Sequence, residues 1–271
     1  MALTEDQILR YSRQIIVPEV GGVGQERLLG RSLLAIGAGG LGSPSLLYLA
    51  AAGVGRIGVV DADAVDLTNL QRQIAHTTDD LGKNKAASAA ETMRAINPDI
   101  EVITHEQRLT ADNALEILGG YDVVIDGTDN FPTRYLINDA CVLLGTPLVS
   151  AAILKFSGQI MTIVPGDGPC YRCVFPEPPP AGSVPNCSQA GILGPVAGAL
   201  GSLQAIEALK LLLGVETTLK GRVFMLDALT LEARDLTISR NPRCPVCGEQ
   251  PTITQLIDYE QSCGIARPGA A

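Results

Sequence analysis

The sequence predicts an α/β fold in which a doubly wound, mainly parallel sheet is followed by antiparallel C-terminal strands. A short apolar run at 33–36 is typical of a buried strand, breaks into a cluster of glycines, and leads into an apolar helix that ends at Gly53. Strand and helix patterns then alternate through most of the 271 residues, as they do in parallel sheets. Two later stretches, 222–227 and 231–238, are expected to pair as an antiparallel hairpin.

The first glycine turn indicates a nucleotide site. Gly37, Gly39 and Gly42 fit the pattern G-x-G-x-x-G, in which missing side chains let backbone N–H groups approach a phosphate at the positive end of a helix. We interpret Ser43 as the N-cap of that helix. This Rossmann-like pattern suits NAD, FAD, a methyl donor or ATP about equally, so the choice must come from other residues.

A polar run follows the second predicted strand, at the edge of the sheet where open α/β folds bind ligands. Its candidates for nucleotide binding are Asp61, Asp63, Asn69, Gln71 and Arg72. Asp61 stands about 20 residues beyond the glycines, where a carboxylate would meet a ribose hydroxyl. Lys85 lies in the first turn of a long alanine-rich helix, where its charge opposes the helix dipole. It is therefore either an ordinary surface residue or is held there by an anion.

A second polar turn, 126–131, joins a predicted strand to a helix. Asp126 and Asp129 lie at the carboxyl end of that strand, and carboxylate ligands of this kind suit Mg²⁺ that bridges to phosphate. An ordinary turn in which an Asp caps the helix explains the same residues equally well. Asn130, in the same turn, is a further candidate for nucleotide binding.

Four of the seven cysteines form two C-x-x-C pairs that lie about 70 residues apart. Cys170 and Cys173 form one pair, and Cys244 and Cys247 form the other. Each pair can supply two thiolates to one tetrahedral zinc, and a site closed by four sulfurs is structural. A redox-active C-x-x-C is the rival interpretation, but two pairs and the knuckle-like sequence around Cys244 favour zinc.

Cys187 ends a proline-rich stretch at 176–188. A small buried cysteine is the ordinary interpretation of such a residue. An unpaired thiol in a polar loop is nevertheless a better candidate nucleophile than Cys141 or Cys263. Both interpretations stay open from the residues alone.

The composition limits location and partners. The chain has 20 Lys and Arg against 29 Asp and Glu, a formal charge of −9, which argues against nonspecific binding of nucleic acid or of anionic membranes. No apolar run reaches the roughly 18 residues that span a bilayer and no signal pattern begins the chain, so we predict a cytoplasmic protein. We expect one large domain at 1–248 and a tail at 249–271 that is disordered in part.

Two predicted helices bear on assembly. Thr4 begins a capping box, and the helix after it displays Arg10 and Arg13 away from its apolar face. Residues 18–32 are interpreted as a loop with a short helix that leads to the first strand. From about 196 to 213 the sequence is apolar almost all round a helix, which should pack deep in the domain or against a second subunit.

Taken together, these residues resemble the ThiF/MoeB/HesA family, the bacterial relatives of ubiquitin-activating enzymes, over 4–248. Short stretches throughout that range carry the resemblance. They are Arg-Tyr-Ser-Arg-Gln-Ile at 10–15, Gly-Ala-Gly-Gly-Leu-Gly-Ser at 37–43, Asp61 with Asn-Leu-Gln-Arg at 69–72, Lys85, Gly-Thr-Asp-Asn at 127–130, both cysteine pairs, and Gly-Ser-Leu-Gln-Ala-Ile-Glu at 201–207.

The resemblance implies ATP-dependent adenylation of the C-terminal glycine carboxylate of a ubiquitin-fold sulfur carrier that ends in Gly-Gly, with pyrophosphate leaving. Carriers of this kind serve molybdopterin, thiamine or tRNA thiolation pathways. The implied site roles are phosphate contacts by Gly39, Gly40, Asn69, Arg72 and Lys85, ribose binding by Asp61, and Mg²⁺ binding by Asp129.

The resemblance also bears on Cys187 and on assembly. Cys187 matches a family cysteine that forms an acyl-disulfide or thioester with the carrier in some members and has no essential part in others. The family likeness further implies a homodimer in which Arg13 completes the neighbouring subunit's ATP site. Because the chain stops at Ala271, too early for a rhodanese domain of about 100 residues, we expect sulfur from a separate cysteine desulfurase or rhodanese.

Two other classes of protein stay open. An NAD-dependent oxidoreductase would explain the glycine turn and Asp61, but it has no use for the set Arg72, Lys85 and Asp129. A zinc-stabilised binding scaffold that has lost catalysis would keep the cysteines and the fold without that charged set.

Overall fold

One eight-stranded sheet forms the centre of the computed structural model, which describes residues 3–180, 190–257 and Tyr259. The strands are β1 Ser32–Ile36, β2 Arg56–Val60, β3 Glu101–His105, β4 Val123–Asp126, β5 Leu148–Leu154, β6 Ser157–Ile163, β7 Arg222–Asp227 and β8 Glu232–Thr237. Their order is β3-β2-β1-β4-β5-β6-β7-β8. The strands from β3 to β5 in that order run parallel, and those from β5 to β8 pair antiparallel. The predicted fold class is confirmed.

Helices cover both faces of this sheet. They are α1 Glu5–Arg10, α2 Ser12–Ile15, α3 Gly21–Leu29, α4 Gly42–Ala52, α5 Lys85–Ile96, α6 Ala114–Leu118, α7 Phe131–Leu144, α8 Tyr171–Val174 and α9 Gly194–Leu213. Helices α4, α5 and α9 share one apolar cluster, whereas α6 and α7 share the other. Short 3-10 turns at Leu67–Asn69 and Thr78–Asp80 lie in the polar run after β2.

The side chains of β1 explain why the apolar run at 33–36 predicted a buried strand. Leu33 and Ala35 belong to the apolar cluster with α4 and α9, and Leu34 and Ile36 belong to the opposite cluster. All four side chains are buried, because neighbouring side chains of a strand point to opposite faces and both faces are covered here.

The N-terminal region carries more helix than expected. The Thr4 capping box is confirmed, with the Thr4 hydroxyl accepting from the Gln7 N–H and the Gln7 side chain accepting from the Thr4 N–H. The helix is divided at the buried Tyr11, so Arg10 and Arg13 lie in separate elements. The stretch 18–32 holds the nine-residue helix α3.

The predicted N-cap at Ser43 is wrong. Helix α4 begins at Gly42, so its cap residue is Leu41, two residues before Ser43, and Leu41 makes no side-chain hydrogen bond to the helix. The helix can start at Gly42 because that residue has no Cβ, which would lie 2.0 Å from the Gly37 carbonyl oxygen. The Ser43 hydroxyl instead donates to the Ala38 carbonyl oxygen. The first N–H groups of α4 are therefore left without a side-chain cap.

Helix α9 corrects the expectation about membrane-spanning runs. Its 20 residues are, by length and composition, long and apolar enough to cross a bilayer. Half of that stretch is buried inside the protein, where α9 contacts α4, β5 and β6. A core helix passes the same test of length and composition. The prediction that this helix packs inside the domain is confirmed for its buried half, and its packing against a second subunit stays a prediction.

Candidate active site

The carboxyl ends of β1, β2 and β4 open onto a cavity of about 650 Å³, at the edge where parallel α/β sheets bind ligands. The predicted site residues that line it are Gly39, Gly40, Asp61, Asp63, Arg72, Lys85, Asp129 and Asn130. Asn69, Gln71 and Arg13 do not line it. Cys187 lies outside the described residues.

Close backbone packing shapes the glycine turn after β1. Gly37 has a φ of +94°, and a Cβ on Gly42 would lie 2.0 Å from its carbonyl oxygen, so neither position accepts a side chain. The Ala38 N–H donates to Asp61 Oδ2 at 2.9 Å, which fastens the turn to the end of β2. The turn thus presents bare backbone to the cavity, as a phosphate site requires.

Asp61, Asp63 and Lys85 form a connected group at the end of β2. Lys85 Nζ donates to Asp63 Oδ2 at 3.0 Å, and the Asp63 N–H donates to Asp61 Oδ1 at 2.9 Å. Lys85 is 7% exposed, which excludes an ordinary surface lysine and holds its charge in the cavity wall. Burial raises the pKa of the Asp61 carboxyl, while hydrogen bonds from Ala38 and Asp63 oppose that shift.

Asn84 explains how a lysine can begin helix α5 beside these carboxylates. Its Oδ1 accepts from the N–H groups of Ala86 and Ala87, and its Nδ2 donates to the Asp61 carbonyl oxygen at 3.0 Å. The start of α5 is therefore fixed to the end of β2. The ion pair with Asp63 offsets the unfavourable position of Lys85 at the positive end of the helix dipole.

Arg72 reaches the glycine turn from the segment after the first 3-10 turn. Its Nη1 donates to the Thr68 carbonyl oxygen at 3.0 Å. A Cβ built on Gly40 would lie 3.4 Å from Arg72 Cγ, so the stem of the arginine packs on that glycine. Arg72 and Lys85 thereby bring two positive charges to one cavity.

The two carboxylates of the 126–131 turn have different surroundings. Asp126 is fully buried, accepts from the Thr128 N–H at 3.0 Å and the Ser150 hydroxyl at 2.9 Å, and lies 3.5 Å from Arg134 Nε. Its oxygens are occupied inside the fold, so it does not join Asp129 at the cavity. The expected carboxylate pair is split for that reason.

Asp129 is the carboxylate of this turn that lines the cavity, and it is exposed. The helix cap that the sequence suggested exists, but Asn130 provides it. Its Oδ1 accepts from the Thr133 N–H at 3.0 Å, and Asn130 also borders the cavity.

Sequence reasoning missed several polar residues of the lining, among them Gln73, Arg108 and Arg134. Arg134 is 6% exposed and donates to the Thr128 carbonyl oxygen at 2.9 Å. The sequence could have indicated Arg134 as a site residue, because Arg134 follows the Asn130 cap by one helical turn and so lies on the same face of α7. Gln73 adjoins Arg72 in the sequence, but nothing in the sequence indicates that its side chain is buried.

The rest of the lining is largely apolar. It comes from β5 and from nearby rings and aliphatic side chains, namely Ala152, Ile153, Leu154, Phe131, Tyr171, Phe175 and Ile192. The cavity therefore has a charged part at the glycine turn and an apolar part at the antiparallel strands.

The four predicted metal ligands converge into one cluster. Cys170 Sγ lies 3.5 Å from Cys244 Sγ, Cys173 Sγ lies 3.4 Å from Cys247 Sγ, and all four sulfurs lie within 4.8 Å of one another. The pKa of the Cys170 thiol is raised, first by its hydrogen bond with Cys173, then by those with Cys244 and Cys247, and also by burial. A bound cation would relieve this crowding by stabilising the thiolates, and four sulfurs at this spacing suit a closed tetrahedral zinc site.

Comparison with known proteins decides the family. The model of the ThiF family matches residues 11–246. The chain belongs to the ThiF family. The resemblance found in its motifs is thereby confirmed.

The relatives of this ThiF-family chain differ in length: one is matched over its whole length, and others extend well beyond the match. It is 53% identical to "Sulfur carrier protein adenylyltransferase" of Thermus thermophilus, over 98% of this chain and 100% of that protein. It is 51% identical to "Adenylyltransferase and sulfurtransferase MOCS3" of Anopheles gambiae and 52% identical to that of Sus scrofa, over 97% of this chain in both cases. The chain spans 60% and 58% of the length of these two animal proteins.

Solved structures share the fold of this ThiF-family chain. E. coli MccB with MccA-N7isoASN has a TM-score of 0.77 at 23% identity, covering 89% of this chain and 75% of that chain. E. coli MccB with ATP has a TM-score of 0.76 at 22% identity, covering 88% and 74%. At such identities the likeness concerns the fold alone.

Proposed function

We propose that this chain uses ATP to adenylate the C-terminal carboxylate of a ubiquitin-fold sulfur carrier and releases pyrophosphate. The chain is thus an adenylyltransferase enzyme that acts on a sulfur carrier, as the name of its Thermus relative supports. One observation carries the proposal: Arg72, Lys85, a bare glycine turn and Asp129 meet in a single cavity.

The chemistry explains why this set of residues is needed. Joining a carboxylate to the α-phosphate brings two anions together, so the site needs cations and fixed donors more than an acid or a base. In our proposal the backbone of Gly39 and Gly40 binds phosphate, and Arg72 and Lys85 stabilise the charge on the α-phosphate and the leaving pyrophosphate. The protein forms no covalent bond in this step.

Asp61 is proposed to accept a hydrogen bond from the ribose. Its oxygens already accept from the N–H groups of Ala38 and Asp63, and a carboxylate has further lone pairs for a hydroxyl. We keep Asn69 as a candidate for a phosphate contact and Gln71 as a candidate for nucleotide binding because both lie next to Arg72 in the chain, although neither lines the cavity.

Asp129 is proposed to hold Mg²⁺, together with phosphate oxygens of the nucleotide. The residues present fit this ion, since Mg²⁺ is usually bound by one or two carboxylates plus substrate phosphates, and the exposed Asp129 faces the cavity. When bound, the ion would neutralise phosphate charge. Asn130 is proposed to help hold the nucleotide from the next position.

The apolar part of the cavity is proposed to receive the tail of the carrier. Strand β5 and the rings of Tyr171 and Phe175 border this part. A tail that ends in Gly-Gly has no side chains at its last residues, so it can bring its carboxylate close to the glycine turn. Zinc held by the four cysteines would fix α8, which carries Tyr171, to the segment at 244–247.

Further proposals concern assembly and later steps. We propose a homodimer in which Arg13, from α2, completes the partner's ATP site, and we propose that Cys187 acts after adenylation if it acts chemically. A separate cysteine desulfurase or rhodanese would supply sulfur in the cytoplasm, for molybdopterin, thiamine or tRNA thiolation. The catalytic domain proposed here is 1–248, with 249–271 as a tail.

Exchange of labelled pyrophosphate into ATP tests the proposed function. Several candidate carriers, alone and mixed, are added to the enzyme, each paired with a version that lacks its last glycine. We expect exchange that depends on an intact carrier, because the carboxylate must reach the α-phosphate. An NAD-dependent oxidoreductase or an inactive scaffold would give no exchange with any carrier.

A further inference from the structure

Gln73 stands apart from the other buried glutamines in the part of the chain that the structure describes. Gln25 and Gln204 are fully buried and hydrogen-bonded, Gln25 to Gln14 and Ala52, and Gln204 to carbonyl oxygens of Asp126 and Val149. Gln73 is 4% exposed, yet its Oε1 is buried without a hydrogen-bond partner among the described residues. An unpaired buried polar atom costs stability, so packing alone does not explain this side chain.

The other end of the Gln73 amide lies at the cavity. A Cβ built on Gly39 would be 3.6 Å from Gln73 Nε2, and both residues line the cavity. Nε2 is therefore beside the bare backbone of the glycine turn. An amide nitrogen is a donor, and it lies in the same lining as the cations Arg72 and Lys85.

The backbone around Gln73 is fixed to the same turn. Its carbonyl oxygen accepts from the His76 N–H at 3.1 Å, and the His76 ring bonds the Ala38 carbonyl oxygen through Nε2 at 3.0 Å. The His76 ring is held from its other side by Ser88 at 2.8 Å. These contacts fix the position of the Gln73 backbone, so its side-chain amide lies beside the glycine turn before any ligand binds.

We propose that Gln73 is a nucleotide-binding residue whose Nε2 donates a hydrogen bond to a phosphate oxygen of ATP at the glycine turn. This inference rests on the proposed function, in which ATP occupies the cavity. The donor adds a neutral, directional contact to the two cations. Burying Gln73 Oε1 without a hydrogen-bond partner lowers the free energy of unfolding, and this loss accompanies the placement of Nε2 beside the phosphate site.

The test compares Gln73→Met with Gln25→Met by titration calorimetry and thermal melting. Methionine has the same length as glutamine and no unsatisfied polar atom. We expect Gln73→Met to weaken ATP–Mg²⁺ binding by about tenfold or more, since hydrogen bonds to charged groups are the stronger class. Its melting temperature without nucleotide should be unchanged or higher by a few degrees. Affinity for adenosine, measured by competition, should stay as in wild type.

Gln25→Met is the matched control because Gln25 is buried, is hydrogen-bonded and does not line the cavity. It should lower the melting temperature and leave ATP affinity unchanged. The inference is overturned if Gln73→Met binds ATP with wild-type affinity, or if it loses affinity for adenosine as much as for ATP. It is also overturned if Gln73→Met has a lower melting temperature than wild type or does not fold. Wild-type protein that binds no ATP would instead overturn the proposed function, so the two failures are distinguishable.

Discussion

The ion pair of Lys85 with Asp63 should contribute little to stability, so the effect of removing Lys85 should appear mainly in activity. The lysine is buried, but its partner Asp63 is mostly exposed, with 67% of the side chain accessible. Removing the lysine therefore leaves a carboxylate that water can solvate, and the free energy of unfolding should change little. The loss should fall on the phosphate site instead.

We predict that Lys85→Met lowers carrier-dependent pyrophosphate exchange by about a hundredfold or more, since fixed charges at a reacting phosphate contribute several kcal/mol. Lys83→Met is the control. Lys83 lies two residues before Lys85, just ahead of helix α5, but pairs with Asp80 and Glu91 outside the cavity lining, so its loss should leave exchange near wild type. Equal activities of the two variants would contradict the role of Lys85.

His76 makes stability depend on pH. Burial lowers its pKa, although the hydrogen bond to the Ala38 carbonyl opposes the shift. Between the ordinary value of about 6.5 and the lowered value, the unfolded chain binds a proton that the folded chain does not. The free energy of unfolding should therefore fall as the pH drops below about 6.5, by at most about 1.4 kcal/mol per pH unit for one proton.

His76→Gln should reduce this pH dependence, because the amide can still donate to Ala38 but does not titrate. Urea unfolding between about pH 7.5 and about pH 5.5 measures the effect. His105, the second histidine, also has a lowered pKa through burial, so His105→Gln should remove a separate part of the slope. A His76→Gln protein with the wild-type slope would refute this account.

Gly198 and Gly201, two of the three glycines of helix α9, have opposite surroundings. A Cβ on Gly201 would lie 2.5 Å from the Leu41 carbonyl oxygen and 2.5 Å from Pro44 Cγ, whereas a Cβ on Gly198 would meet nothing within 4 Å. Gly201 therefore lets α9 approach the start of α4, next to the glycine turn.

Gly201→Ala should destabilise the protein by about 1–3 kcal/mol or more, through overlap at this helix contact. Gly198→Ala, in the same helix, should be neutral or stabilise it by up to about 1 kcal/mol through helix propensity. Chemical denaturation of both variants measures the difference. Equal stability of the two would show that α9 is not held this closely.

The cysteine cluster joins two elements that are far apart in sequence. Cys244→Ala should release the metal and lower the melting temperature by on the order of 10 °C, because binding energy at such a site is folding energy. Metal analysis and thermal melting check this. Cys141→Ala is the control, since Cys141 is buried away from the cluster and should keep the metal. Full stability without metal in Cys244→Ala would exclude a structural site.

At the scale of elements, the sequence was sufficient where one local pattern decides the structure. Every predicted strand is present. Apolar runs specify the buried strands β1, β2 and β4 directly, whereas β8 is exposed along its whole length and is held by pairing with β7. Helix α3 was underestimated because its three glycines disfavour a helix in isolation. Packing outweighs that preference: Gly24 lets α3 approach α9, where a Cβ would lie 3.0 Å from Leu213 Cδ2.

At the scale of the molecule, the cavity is shared by the parallel and the antiparallel halves of the sheet. Motifs located its charged half, since glycine turns and polar strand ends are visible in sequence. The apolar wall at 152–154 and the buried positions of Gln73 and Arg134 depend on tertiary contacts. Spacing does not specify such contacts, and for the same reason it could not separate Asp126 from Asp129.

The central claim is that a carrier carboxylate attacks the α-phosphate of ATP in this cavity. Labelling the C-terminal carboxylate of the carrier with oxygen-18 tests it directly, with hydroxylamine present to release the product. The account predicts that AMP acquires label from the carboxylate and that pyrophosphate stays unlabelled. Label in inorganic phosphate, with ADP as the other product, would show attack at the γ-phosphate and would contradict adenylation.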